Sequence, residues 1–306
     1  MRIDPERIEI ATLSDTGRQR SNNQDSYGVG YARSGARWMM VADGMGGHAG
    51  GATASRVAVE TVSSVVASSQ LAPDVTLRAA LESANRVVHG EAQRNRDLAG
   101  MGTTGVAALF SADGVAFVAN VGDSRAYRLR DGAFEQITLD HSLVAEMRRR
   151  GLITEEEALV HPRRNEVLRS LGVEPDVVVD LHQLDLLPGD LFLLCSDGLS
   201  GVVRDAEIAE VVRREAPAQA VRTLVDFANS RGGPDNVTVQ IARIPGQKAD
   251  GASDSEGPQP SARGLILTLV GLAVLLSAIV VWSMFGELRD ATREAGAARE
   301  TPVEAD

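Results

Sequence analysis

Residues 39–48, Met-Met-Val-Ala-Asp-Gly-Met-Gly-Gly-His, form an apolar run that stops at Asp43 and passes into a glycine-rich turn. The apolar run predicts a strand, and residues 50–68 repeat small apolar side chains at helical spacing. Glycines before a helix can bind phosphate, but Asp43 would repel a pyrophosphate and no Gly-Lys-Ser/Thr follows. A carboxylate here suits a divalent cation. For this stretch alone, an Asp that only closes a turn is an equal alternative.

The same arrangement recurs twice. Residues 191–198, Leu-Phe-Leu-Leu-Cys-Ser-Asp-Gly, end an apolar run at Asp197, and Asp235 directly precedes the apolar run that starts at residue 237. Carboxylates brought together at one end of the sheets would repel one another strongly without a bound cation. The recurrence therefore predicts a metal site made by Asp43, Asp197 and Asp235. Paired metals can activate a water and clamp the oxygens of a displaced phosphoryl group.

The rest of the first 244 residues alternates strand-like and helix-like patterns. Short runs rich in Val, Ile, Leu and aromatic residues predict strands at 8–14, 27–31, 37–42, 104–110, 115–121, 125–130, 177–184, 190–195 and 237–242. Helical spacing predicts two pairs of helices at 50–68 with 75–95 and 205–215 with 217–231. Tight turns such as 129–132 favour antiparallel pairing. The fold class predicted is α+β, with sheets covered by helices.

Composition excludes several classes of protein. The hydrophobic fraction of 43% and the charged fraction of 24% are those of an ordinary globular protein. The net charge of −11 argues against nucleic-acid binding, which needs a basic excess. The single Cys195 excludes an internal disulfide and a cysteine-rich zinc site.

Past residue 244 the composition changes three times. Residues 245–263 are rich in Gly, Pro, Ser and Asp and predict a disordered linker. Residues 264–286 carry no charge and are long enough to cross a bilayer as one helix, with a buried core helix as the alternative. Residues 287–306 form a short acidic tail. The N-terminus is polar and shows no secretory signal, so we expect the domain at 1–244 to lie on the cytoplasmic side.

Six motifs together resemble a known family. In chain order they are Arg-Ser-Asn-Asn-Gln-Asp at 20–25, Asp-Gly-Met-Gly-Gly at 43–47, Met-Gly-Thr-Thr at 101–104, Val-Gly-Asp-Ser-Arg at 121–125, Ser-Asp-Gly at 196–198 and Asp-Asn-Val-Thr at 235–238. Their order and spacing, over about residues 8–244, resemble the PP2C-type (PPM) serine/threonine protein phosphatases, in particular bacterial membrane-anchored members. The resemblance implies an α-β-β-α sandwich of two mainly antiparallel sheets flanked by helix pairs.

The resemblance also implies a set of metal ligands. Asp43 would bridge two Mn²⁺ or Mg²⁺ ions, and the Gly44 carbonyl would join the second. Asp197 and Asp235 would complete the site of the first ion. Asp123 would help Asp197 hold a third, weaker ion, although an ordinary loop aspartate is the alternative.

Other roles follow from the same resemblance. Arg20 would hold the substrate phosphate, to which a planar guanidinium is well matched, with a surface salt bridge as the alternative. Asp25 would orient a water, or would be an ordinary turn acid. Gln24 replaces the Glu that many members use on the second metal, so that metal is expected to bind less tightly. Met45 stands where animal members carry a proton-donating His, and His48 is more typical of a structural role, so the general acid is left unassigned.

Competing phosphatase chemistries lack their residues. A cysteine phosphatase needs an Arg six positions after the Cys, but Gly201 stands there after Cys195. No Gly-x-Ser-x-Gly motif frames a nucleophile. Zinc spacing is absent from the five histidines, His48, His89, His141, His161 and His182.

Basic clusters at 147–150 and 161–164 lie in the stretch from His141 to Glu174, which corresponds to a mobile flap in this family. We call residues 141–174 the flap segment. Arg163 and Arg164 are expected to help recognise phosphorylated proteins, with a solvated helix face as the alternative.

The sequence therefore predicts a phosphatase for phosphoserine and phosphothreonine in proteins, held at the inner face of a bacterial membrane by one helix. Expected partners are phosphoproteins, including Ser/Thr kinases in the same membrane. The alternatives are a catalytically silent phosphoprotein-binding scaffold and a phosphatase of an anti-sigma-factor antagonist.

Overall fold

Two antiparallel β-sheets form the centre of the fold in the computed structural model, which describes residues 2–246. In chain order the strands are β1 (Glu9–Asp15), β2 (Asp25–Tyr31), β3 (Arg37–Met45), β4 (Gly102–Thr103), β5 (Gly105–Phe110), β6 (Val115–Val121), β7 (Arg125–Arg130), β8 (Ala133–Gln136), β9 (Asp180–Asp185), β10 (Leu191–Cys195) and β11 (Val237–Arg243). One sheet has the order β1-β11-β10-β7-β8. The other has the order β2-β3-β5-β6-β9, with β4 paired to β3.

Helices lie against the outer face of each sheet. In chain order they are α1 (Gly47–Ser68), α2 (Pro73–Arg94), α3 (Leu143–Arg149), α4 (Glu155–Val160), α5 (Asp197–Ser200), α6 (Asp205–Arg214) and α7 (Pro217–Ser230). Helices α2 and α7 both begin at a proline, whose missing N–H has no helical partner to lose at that position. Helices α1 and α2 pack on the β3 sheet, and α6 and α7 pack on the β11 sheet.

The two-residue period of the strands divides the core into three apolar layers. Met39 and Val41 of β3 face the other sheet, where Phe192 and Leu194 of β10 pack against them. The intervening Met40 joins the layer beneath α1 and α2. The alternate residues of β10 and β11 pack beneath α6 and α7. Strands buried on both faces need apolar residues at every position, which explains the continuous apolar runs ahead of the aspartates.

The prediction of an α+β fold with two antiparallel sheets and helices is confirmed. The predicted strands and helices all occur, with small shifts in their bounds. Strands β4 and β8 and helices α3, α4 and α5 were not predicted. Each is short, and α3 and α4 lie in the basic flap segment, where no long apolar period marks a helix.

No helix within residues 2–246 is long and apolar enough to cross a membrane. The predicted membrane span at 264–286 and the acidic tail at 287–306 lie outside the described residues, as does nearly all of the predicted linker. The described residues fall within one compact unit, Met1–Gln247.

Candidate metal and phosphate site

Gly44 and Gly198, which follow Asp43 and Asp197, must be glycines because other backbone segments pack directly against them. A Cβ on Gly44 would lie 2.1 Å from the carbonyl oxygen of Gly51 at the start of α1. A Cβ on Gly198 would lie 1.9 Å from the carbonyl oxygen of Asn236. Any side chain at these positions would push apart the segments that meet there. The Asp-Gly pairs therefore mark the points where the strand ends and turns are packed together.

Hydroxyl groups of the Met-Gly-Thr-Thr motif hold the backbone of Asp43. Its N–H donates to Thr104 Oγ1 at 2.9 Å, and its carbonyl accepts from Thr103 Oγ1 at 2.8 Å. Thr104 Oγ1 is in turn 2.7 Å from Ser124 Oγ, beside Asp123. Two of the six motifs are thus joined to a third by hydrogen bonds, which explains why they occur together.

Asn236 ties the loop between β1 and β2 to the turn before β11. Its Nδ2 donates to the carbonyls of Thr16 and Asn22, and its Oδ1 accepts from the N–H of Gln24. Asn236 is buried, so these bonds satisfy its amide. The sequence analysis quoted this residue only as part of a motif. Its role is to bring the loop of Arg20 next to the turn that carries Asp235.

Four aspartates and an arginine converge on one cavity of ≈ 500 Å³. The cavity is lined by Arg20, Asp43, Asp123, Asp197 and Asp235, together with neighbouring loop residues. The structure thus brings together the residues that the sequence analysis placed at a metal site. It does so from segments that are far apart in the chain.

Burial and mutual repulsion raise the pKa values of three of these carboxylates, those of Asp43, Asp123 and Asp197. Burial, followed by the charges of Asp25 and Asp197, raises the pKa of Asp43 well above its usual range. Burial, with the charges of Asp197 and Asp140, raises the pKa of Asp123 to about 8. Burial and the charge of Asp235 raise the pKa of Asp197. A cation at this site would relieve the repulsion.

Asp235 is paired with Arg20, which lines the same cavity. Arg20 Nη2 donates to Asp235 Oδ2 at 2.7 Å. Within residues 2–246, no group of three or more Asp, Glu, His or Cys side chains has the geometry to hold a metal ion as it stands. The predicted ligands therefore line one cavity, and one of them, Asp235, is paired with a guanidinium.

The donor set still fits a hard divalent cation. Asp197 Oδ1 is buried and has no hydrogen-bond partner, a costly state for a carboxylate oxygen. All the converging donors are oxygens, the ligands that Mn²⁺ and Mg²⁺ prefer. The residues present thus match the group that the family resemblance implies.

Asp25 does not line the cavity that the other acids share, although its charge raises the pKa of Asp43. It is buried and lines a second cavity of ≈ 550 Å³ rather than the first. Its Oδ2 accepts from Ser196 Oγ at 2.8 Å and from Thr238 Oγ1 at 2.7 Å, while its Oδ1 is buried without a partner. Burial raises the pKa of Asp25 to about 7, against the opposing effect of the two hydroxyl donors. Asp25 pairs across β2 and β3 with Asp43, so it acts on the site from the side of the sheet.

Gln24 and Met45, the two departures from the family pattern, both line the first cavity. Gln24 Nε2 donates to the Gly47 carbonyl at 2.6 Å, at the start of α1. The side chain of His48 lies outside the described part of the structure.

The flap segment contributes Asn165 and Val167 to the cavity, and the predicted pair of arginines is not among the lining residues. Arg163 forms a two-point ion pair with Glu166 at 2.6 Å. Arg164 is exposed and has no ion-pair partner among residues 2–246. The sequence analysis missed Asn165, whose polar side chain gave no signal beside two arginines.

Cys195 is buried in β10, and burial raises the pKa of its thiol to about 12. A thiol in this state is a poor nucleophile. This agrees with the exclusion of cysteine chemistry from the sequence.

The family model for Protein phosphatase 2C matches residues 16–240. This chain belongs to the protein phosphatase 2C family. The match begins just before the Arg20 loop and ends within β11, so it contains every residue of the site.

Several curated relatives share this domain. The chain is 39% identical over 236 residues to the serine/threonine phosphatase stp of Listeria monocytogenes, which covers 74% of this chain and 92% of the relative. It is 37% identical over 250 residues to protein phosphatase PhpP of Streptococcus pneumoniae, which covers 79% of this chain and all of the relative (100%). It is 40% identical over 242 residues to PstP of Mycobacterium tuberculosis, of which 45% is covered.

Solved structures of serine/threonine phosphatases are similar to this domain in fold and sequence. The serine/threonine phosphatase Stp1 of Staphylococcus aureus matches with a TM-score of 0.75 and 35% identity, over 80% of this chain and 98% of that one. The catalytic domain of the phosphatase PstP, solved in complex with two manganese ions, matches with a TM-score of 0.71 and 36% identity, over 78% of this chain and 98% of that one.

Proposed function

We propose that this chain is a metal-dependent phosphatase that hydrolyses phosphoserine and phosphothreonine in proteins. The observation that carries the proposal is the convergence of four aspartates and Arg20 on one cavity. The names of the relatives, all serine/threonine or protein phosphatases, support the same reaction.

The aspartates would hold two Mn²⁺ or Mg²⁺ ions, as the manganese-bound PstP domain does for manganese. Asp43 would bridge the pair, the Gly44 carbonyl would join the second ion, and Asp197 with Asp235 would serve the first. Asp123 would help to hold a third ion. When bound, such ions lower the pKa of a water and stabilise negative charge on phosphoryl oxygens.

The chain's own residues supply binding and orientation. Arg20 carries the guanidinium that fits a phosphate monoester in two-point fashion. It lies at the cavity and contacts one carboxylate, Asp235, so it can exchange that partner for a substrate phosphate. Asp25, held by Ser196 and Thr238, keeps one oxygen free for a water on the sheet side of the site. Met45 cannot donate a proton to a leaving group.

The direct test measures phosphate release from a phosphothreonine peptide by residues 1–246. Activity should need Mn²⁺ or Mg²⁺, stop with chelator, and fall at least about a hundredfold in Asp43→Asn. Asp226→Asn is the matched control, because Asp226 is an exposed aspartate on α7 away from the cavity. Turnover that survives both chelator and Asp43→Asn would refute the proposal. A protein that binds the peptide with no turnover would be a silent scaffold.

We also propose that the phosphatase is tethered to the inner face of a bacterial membrane, with Ser/Thr kinases of that membrane among its substrates. The charge-free residues 264–286 and the polar linker before them support the tether. Fractionation of cells expressing the whole chain and a chain ending at residue 246 tests it. Recovery of both in the soluble fraction would contradict the tether without affecting the catalytic proposal.

A further inference from the structure

His141 and Gly122 hold each other by two hydrogen bonds. The Gly122 N–H donates to His141 Nδ1 at 3.0 Å, and the His141 N–H donates to the Gly122 carbonyl at 3.0 Å. Both residues are buried, so water does not compete for either hydrogen bond. Gly122 has a φ of +111° and directly precedes Asp123, whose carboxylate faces the cavity.

The ring of His141 is fixed in one tautomer. Because Nδ1 accepts from Gly122, the proton of the neutral ring lies on Nε2, which donates to Asp180 Oδ2 at 3.0 Å and also lies 3.0 Å from Arg169 Nη1. Asp180 is held in place by Arg169, whose Nη1 donates to its other oxygen at 2.7 Å. The four groups form one hydrogen-bonded network in which His141 and Gly122 are buried and Arg169 and Asp180 are partly exposed. No step of the proposed hydrolysis uses it.

The same residue anchors the flap segment. The His141 carbonyl accepts from the Leu168 N–H at 2.7 Å, where the flap segment returns to the body of the protein. Asp140, the preceding residue, is held by Arg125, which lies two positions after Asp123. The Asp123 turn and the base of the flap segment are therefore tied together at positions 140 and 141.

We propose that His141 is a positioning residue that holds the Gly122–Asp123 peptide, and thereby the Asp123 carboxylate, for metal binding. The role of Asp123 rests on the proposed function. His141 itself does not touch metal or substrate. It acts by accepting the Gly122 N–H, which would otherwise be a buried donor without a partner, in a turn whose geometry sets the direction of the next side chain.

Two variants separate this role from a general structural one. In His141→Asn, the amide oxygen lies near the position of Nδ1 and can accept from Gly122. In His141→Gln, the amide lies near the position of Nε2, so it can contact Asp180 but leaves Gly122 without an acceptor.

The first measurement is amide-proton exchange of Gly122 in residues 1–246 with chelator present. The relatives and solved structures that end with this domain show that it folds by itself. We expect exchange to speed up at least about tenfold in His141→Gln and to stay within about threefold of wild type in His141→Asn.

The second measurement is Mn²⁺ titration calorimetry of the same proteins. The weakest Mn²⁺ site should lose at least about tenfold in affinity in His141→Gln only.

Equal Mn²⁺ affinities in the two variants, or losses that simply follow their melting temperatures, would overturn the inference. So would a fast-exchanging Gly122 in His141→Gln with unchanged Mn²⁺ binding. Neither readout needs turnover. Absence of phosphatase activity in the wild-type protein would refute the proposed function alone.

Discussion

Arg20 Nη2 donates to Asp235 Oδ2 at 2.7 Å, although 215 positions separate the two residues in the chain. The pair joins the residue expected to bind phosphate to a residue expected to bind metal. If Asp235 binds a cation and Arg20 binds a phosphate, as we propose, this ion pair is exchanged for those two contacts.

Replacement of Arg20 tests this exchange. Arg20→Ala should raise KM for a phosphopeptide and lower kcat/KM by about 10²-fold, because a charge-assisted two-point contact to phosphate is lost. In contrast, its Mn²⁺ affinity should not fall, since Asp235 is freed from its ion pair. Steady-state kinetics and calorimetry measure the two effects. Arg18→Ala is the control, because that exposed arginine lies outside the cavity. A parallel loss of Mn²⁺ affinity would contradict the exchange.

Removal of the Asp43 charge should stabilise the protein when no metal is bound. The raised pKa of Asp43 shows that its ionised form is disfavoured in the fold, so Asp43→Asn should raise the melting temperature with chelator by about 2 to 4 °C. The same change should abolish the rise in melting temperature that Mn²⁺ gives to the wild-type protein. Thermal unfolding with and without Mn²⁺ measures both. If Asp43→Asn instead lowered the melting temperature with chelator, repulsion between the carboxylates would not govern the stability of the site.

Replacement of Gln24 by Glu should raise the affinity of the site for metal. In Gln24→Glu a carboxylate replaces the amide that donates to the Gly47 carbonyl, so the metal-free protein should be less stable. Bound Mn²⁺ should offset that loss, and half-maximal activity should need about tenfold less Mn²⁺. Gln19→Glu is the matched control, because it adds the same charge elsewhere in the cavity lining. An equal effect of both changes would indicate general electrostatic attraction rather than a ligand.

The flap arginines should differ in their effects. Arg164 has no ion-pair partner within the described part of the chain, whereas Arg163 is paired with Glu166. Arg164→Ala should raise KM for a phosphopeptide about threefold to tenfold and leave turnover of a small aryl phosphate unchanged. Arg163→Ala should have the smaller effect. Identical kinetics of both variants and wild type on the phosphopeptide would exclude this segment from substrate recognition.

The ion pairs of Glu207 predict a dependence of folding stability on pH that does not involve the metal and phosphate site. Hydrogen bonds from Arg231, then from Arg204, lower the pKa of Glu207 to about 2. Because the pKa of Glu207 is lower in the folded state, its ion pairs contribute fully to the free energy of unfolding above the unfolded pKa of 4.5. This contribution is lost as the pH falls through about 2. Glu207→Gln should therefore destabilise the protein at pH 7, by up to about 1 kcal/mol. The difference from wild type should shrink between pH 4.5 and pH 3. Urea unfolding at several pH values measures it, and a constant difference would contradict the ion pair.

Local structure was largely predictable from the chain. Apolar runs such as 191–195 and 237–242 predicted buried strands, and the two helix pairs followed from helical spacing. The flap helices α3 and α4 were not predicted, because helices of six or seven residues depend on contacts made elsewhere in the chain.

The sequence by itself determined the two sheets, the helices that cover them, the aspartates at the strand ends and the membership of the family. The strands, the helices and the positions of the aspartates depend on residue periodicity and on turn glycines, which are local properties. The arrangement in two sheets and the family followed from the order and spacing of the six motifs. Only the tertiary structure decided that Arg20 pairs with Asp235, that Asp25 lies beside a separate cavity, that Asn165 rather than Arg163 lines the site, and that His141 holds Gly122. Each of these is a contact between separate segments. It depends on how the two sheets and their loops pack together, and no spacing along one segment records that geometry.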